Sequence, residues 1–147
     1  MMRKMTAVAS CLCIFMVAIL AGCSSLAKGE PKEVELKQLS SGAKSFVNQI
    51  KDKSGLYLYS PAGGQAYLIV NHLVTEGNRE AKYLESLKSE LKDHLLRLDV
   101  NELGTTEYTD KRLGKIRFFE LGSSSRDYSA IQVYKNGVVS KFDSIGG

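Results

Sequence analysis

Asn136-Gly137 stands between two β-rich runs, Ile131-Gln132-Val133-Tyr134-Lys135 before it and residues 138–142 after it. A two-residue hairpin turn needs positive φ at both central positions, and Asn followed by Gly meets that need at the lowest steric cost. The end of the chain is thereby constrained to an antiparallel hairpin, with Tyr134 expected opposite Val139 and Ile131 opposite Phe142. A second hairpin is expected where Leu56-Tyr57-Leu58-Tyr59 and Ala66-Tyr67-Leu68-Ile69-Val70 flank the turn-forming run Ser60-Pro61-Ala62-Gly63-Gly64. Residues 115–121, carrying Ile116, Phe118, Phe119 and Leu121, are apolar enough for a strand buried on both faces.

Helical signals are fewer. Ser40-Ser41 can cap a short helix running to Asp52, on which Phe46, Val47 and Ile50 share one face, and Gly55 ends it. The stretch 83–98 admits two structures. Leu84, Leu87, Leu91, Leu95 and Leu98 keep the period of an amphipathic helix. Folding the chain about Asp93-His94 instead sets Leu91 opposite Leu96 and Leu87 opposite Val100, with Glu90 opposite Arg97 and Lys88 opposite Asp99 on the other face. The hairpin is preferred because Leu96, Leu98 and Val100 alternate cleanly. The expected fold class is α+β: a mainly antiparallel β-sheet built of hairpins, with one short N-terminal helix and a possible second helix over 83–98.

All three cysteines lie within the first 23 of the 147 residues. They share that segment with a basic start, Met1-Met2-Arg3-Lys4, and an uncharged apolar run over 5–20 that ends in Leu20-Ala21-Gly22-Cys23. This is the layout of an export signal, and the run is too short for a membrane-spanning helix. Leu20-Ala21-Gly22-Cys23 resembles the lipobox of bacterial lipoproteins. That resemblance implies that the Cys23 thiol receives a diacylglycerol and that cleavage of residues 1–22 leaves Cys23 as the new amino terminus. The remainder is similar in overall character to the small, Lys-rich lipoproteins of Gram-positive bacteria that carry one compact domain of undefined activity.

Removal of residues 1–22 leaves 125 residues, in which Cys23 is the only cysteine, so a disulfide framework is excluded. The formal charge falls from +4 to +2, because Arg3 and Lys4 leave with the signal. That balance is too small to argue for nucleic acid as a partner. Residues 23–35 are expected to form the lipidated Cys23 and a flexible linker holding the domain roughly 20 Å from the lipid. Residues 36–147 are expected to form a single globular domain.

Catalytic patterns are sparse. His72 and His94 have no carboxylate or thiol at metal-ligand spacing, there is no HExxH or paired-Cys motif, and no metal or cofactor is expected. Each histidine is expected as an exposed turn or strand-end residue. Ser123-Ser124-Ser125 lacks the Gly-x-Ser-x-Gly elbow of a nucleophilic serine and is expected as a polar loop. Gly63-Gly64-Gln65 resembles the tripeptide of peptide-chain release factors, but a glycine turn explains it without that role. Tyr57 and Tyr59 fall on one strand face and are the candidate binding face, since aromatic rings with polar tips suit protein interfaces and sugar faces.

The expected function is a membrane-anchored, extracytoplasmic binding or accessory module without enzymatic activity, its partner an envelope protein or wall polymer. One alternative is an inhibitor or immunity lipoprotein acting on an incoming or secreted protein. Another is a small envelope enzyme such as a hydrolase or proline isomerase. A deep apolar cleft holding His72 or His94 with a carboxylate in hydrogen-bond reach would favour the enzyme, and a shallow surface would count against it.

Overall fold

The only α-helix among the described residues begins where Ser40 accepts the Ala43 N–H on its hydroxyl, which satisfies one of the donors a helix start leaves unpaired. This helix, α1 (Ser41–Ile50), buries Ala43, Phe46, Val47 and Ile50 along one side. The computed structural model describes residues 27–74, 80–122 and 128–147. The lipobox, Cys23 and the Ser123-Ser124-Ser125 run therefore lie outside the described residues.

The strands are β1 (Ala27–Gly29), β2 (Lys32–Val34), β3 (Gly55–Tyr59), β4 (Tyr67–Asn71), β5 (Ala81–Lys92), β6 (Leu95–Thr105), β7 (Ile116–Glu120), β8 (Ala130–Lys135), β9 (Val138–Ser140) and β10 (Ser144–Gly146). They form two five-stranded sheets, ordered β1-β5-β6-β8-β9 and β10-β3-β4-β7-β2. The sheets pack face to face. Leu56, Leu58, Leu68, Val70 and Phe119 of the second sheet meet Leu84, Leu87, Leu96, Leu98, Val100 and Val133 of the first. The other face of the second sheet, with Tyr57, Tyr67, Ile69 and Phe118, is covered by α1. Three layers result: helix, covered sheet, outer sheet. Strands β3, β4 and β7 thus bury residues on both faces, as near-continuous apolar runs require.

The 83–98 stretch is strand, with no helix. Asp93 and His94 both take positive φ, 50° and 61°, and the chain folds back on itself there. The ladder sets Leu91 opposite Leu96, Glu90 opposite Arg97, Lys88 opposite Asp99 and Leu87 opposite Val100. The helical period of the leucines was a coincidence of strand alternation with a bulge between Leu84 and Ser86. The Asn136-Gly137 turn also forms, with φ of 49° and 80°, and pairs Tyr134 with Val139. Phe142 does not pair with Ile131. The ladder stops at Ser140, because the chain crosses to the other sheet, where the Asp143 N–H donates to the Leu56 carbonyl of β3 at 2.8 Å.

The pairing is mostly antiparallel, as expected, but hairpins do not account for all of it. Both sheets are mixed: β8 runs parallel to β6 and β10 parallel to β3. The flexible linker is corrected as well. Within residues 23–35, β1 pairs with β5 and β2 with β7, so strands paired into both sheets lie ahead of residue 36. Arg117 ties down this segment through a bidentate pair with Glu33, both contacts 2.7 Å.

Candidate functional site

The inward-facing positions of β6 run Leu96, Leu98, Val100, Glu102. The first three are core residues, and the fourth is a carboxylate whose side chain is only 3% exposed. The inward positions of β8 repeat the change, from Ile131 and Val133 to Lys135. At this end of the sandwich the apolar core therefore gives way to charge. His72, just past the end of β4, meets it from the opposite sheet.

His72 Nε2 lies 2.8 Å from Glu102 Oε1, and Lys135 Nζ lies 2.9 Å from Oε2 as an ion pair without hydrogen-bond alignment. Burial pushes the Glu102 carboxyl up, but the hydrogen bond from His72 and the charge of Lys135 outweigh that and hold it below the ordinary carboxylate range. Glu102 is thus an anion, and the His72 nitrogen facing it carries a proton. In a neutral ring this fixes the tautomer and leaves Nδ1 as the unprotonated nitrogen. The backbone is fixed too: the Glu102 N–H donates to Asn136 Oδ1 at 2.7 Å, so the β8–β9 turn holds the carboxylate's strand.

The cluster borders an open cleft of about 330 Å³. His72, Lys135, Lys82, Glu80, Asp143 and Ser54 bring polar groups to its wall. Asp143 is held in place by the Leu56 N–H at 2.8 Å, and Ser54 Oγ accepts the Leu73 N–H at 2.9 Å. Such a cleft suits a polar, charged ligand segment better than an apolar one. A second cleft, of about 510 Å³, gathers Lys111, Arg112, Lys115 and Arg117. There Arg112 is already bound by Asp110, whose carboxyl it lowers to about 2, and Arg117 by Glu33. Among the described residues no three of His, Cys, Asp or Glu converge to hold a metal ion.

The candidate binding face is overturned. Tyr57 is 3% exposed beneath α1, its ring edge-on to Phe46 at 6.5 Å, and its hydroxyl donates to the Lys53 carbonyl at 3.0 Å. Tyr59 is half-buried against the same Phe46, at 5.8 Å. The sequence placed both rings on one face correctly, but that face is the one the helix covers. His94 is an exposed turn residue; His72 is at a strand end, yet half-buried and paired. Glu102 and Lys135 were not singled out from sequence, although the alternation Leu96, Leu98, Val100 continues directly onto Glu102.

Comparison with protein-family models, curated proteins and solved structures finds no match to this chain. No helix among the described residues is long and apolar enough to cross a membrane.

Proposed function

We propose that the protein is an extracytoplasmic lipoprotein, held by Cys23, whose folded domain is a binding or accessory module of the envelope. The observation that carries this reading is Leu20-Ala21-Gly22-Cys23 behind an uncharged apolar run, with the first described strand at Ala27–Gly29. The binding site is the charged cleft at the end of the sandwich, not the tyrosine face. Lys82 and Asp143 supply opposite charges there beside the fixed His72–Glu102–Lys135 cluster, a pattern that fits a polar peptide segment of an envelope protein.

Replacing Cys23 with Ala is expected to abolish metabolic labelling with fatty acid and to release the protein from the membrane; persistent labelling would overturn the anchor. Lys82→Glu is expected to reduce cross-linking to its partner in intact membranes while leaving the urea midpoint unchanged. Undiminished cross-linking would remove the cleft from consideration.

The His72–Glu102 contact favours a second reading, a hydrolase. In it, Nδ1 of a ring oriented by the carboxylate takes a proton from water as the hydroxide adds to a carbonyl, and collapse of the adduct breaks the bond to the leaving group, which takes that proton from Nδ1. His72→Gln separates the two: its amide can still donate to Glu102, but it cannot accept a proton. Loss of hydrolytic turnover with partner binding intact selects the hydrolase, and unchanged behaviour selects the binding module.

A further inference from the structure

We infer that the end of the sandwich carrying the β5–β6 turn rests on the bilayer surface, with Lys92, His94 and Leu95 as its contact residues, and that the His72–Glu102–Lys135 cleft opens away from the membrane. This inference rests on the lipid-anchor reading of Cys23.

The distance available to the anchor is the first argument. Three residues, Ser24, Ser25 and Leu26, separate Cys23 from β1. Whatever their conformation, four residue steps span at most about 14 Å. The lipidated sulfur is therefore confined to the neighbourhood of Ala27, far closer than a linker reaching to residue 35 would allow.

The direction of β1 is the second. It runs antiparallel to β5, with Ala27 opposite Leu91 and Gly29 opposite Ser89. The chain thus enters the fold beside the β5–β6 turn and climbs away from it. The turn is the part of the outer sheet that the anchor brings to the lipid. Lys92 and His94 are exposed, and Leu95 is 37% exposed, giving a tip with an aliphatic side chain flanked by groups that reach phosphate headgroups. Asp93 offsets one cation at the same tip, so the contact orients the domain and the acyl chains supply the attachment.

The cleft lies at the other end of the same strands. Lys82, on its wall, is ten residues from Lys92 along β5, about 33 Å at the rise of an extended strand. Glu102 sits correspondingly far along β6 from the turn. In the covered sheet, β4 runs from Tyr67 to Asn71 toward His72, so the β3–β4 turn at 60–66 shares the lipid-facing end. Anchoring at Cys23 consequently points the cleft outward, where an envelope partner approaches.

The acylated Cys23 is the only cysteine of the processed chain, so one added cysteine carries a single thiol-reactive probe. Full-length lipidated protein bearing bimane at Leu95→Cys or at Thr106→Cys, an exposed position beyond the cleft end of β6, is placed in phosphatidylcholine vesicles containing a headgroup-nitroxide lipid. Quenching at the Leu95 site is expected to exceed that at Thr106 several-fold. Lys92→Cys repeats the lipid-facing measurement should Leu95→Cys fail to fold. Equal quenching at both ends of a protein whose intact mass shows acylated Cys23 would overturn the orientation alone. An unacylated Cys23 would overturn the anchor and the orientation together.

Discussion

Glu102 takes the inward slot that follows Leu98 and Val100, and its contacts with His72 and Lys135 make that position tolerable. Glu102→Gln removes the charge that Lys135 and His72 face, and is expected to cost about 3 kcal/mol in urea unfolding. The pH dependence has a definite sign. Because the folded carboxyl is held below its ordinary value, its contribution is complete above the unfolded value of about 4.3 and is lost as pH falls through the folded value. The stability of the native protein is therefore expected to fall more steeply on acidification from about pH 5 than that of Glu102→Gln; parallel profiles would contradict the assignment. Tyr57 offers the opposite kind of test. Buried against Phe46, it is expected to cost about 3 kcal/mol when replaced by Ala, as a core aromatic does, whereas a solvent-facing binding residue would leave the urea midpoint almost unmoved.

Turns with local chemistry were legible as elements, and long-range pairings were not. Asn136-Gly137 announces its hairpin, Ser40 its helix, and the charge pairs about Asp93-His94 their register, because each signal lies within a few residues of what it specifies. The parallel pairs of β6 with β8 and β3 with β10 join segments remote in sequence, and nothing local marks one strand as the other's partner. Strands β1 and β2 escaped notice for a related reason: three residues at a sheet edge show no alternation to detect. The four edge strands, β1, β2, β9 and β10, are all three residues long, which limits pairing with other chains even where β9 exposes Val138 and Val139. The site was half visible. Glu102 could have been found by continuing the β6 alternation, but its partners His72 and Lys135 come from two other strands' ends. His94 holds positive φ without glycine's freedom, so His94→Gly is expected to raise stability by about 0.5 kcal/mol, read as a higher melting temperature.

For the whole molecule, the proposed anchor at Cys23 precedes the described strands in sequence. Since the ladder begins at Ala27, Cys23→Ala is expected to free the protein from the membrane with its unfolding midpoint unchanged; a lowered midpoint would mean that the lipid takes part in folding. The alignment of β1 also sets how the molecule bears force. If the proposed anchor holds Cys23, a partner pulling at the cleft would draw β1 lengthwise along β5, across the hydrogen bonds that join them. Loaded in shear, the ladder shares the strain among its bonds together, whereas a peeling geometry would break them singly. The three-residue β1 is thus placed to act as a clamp.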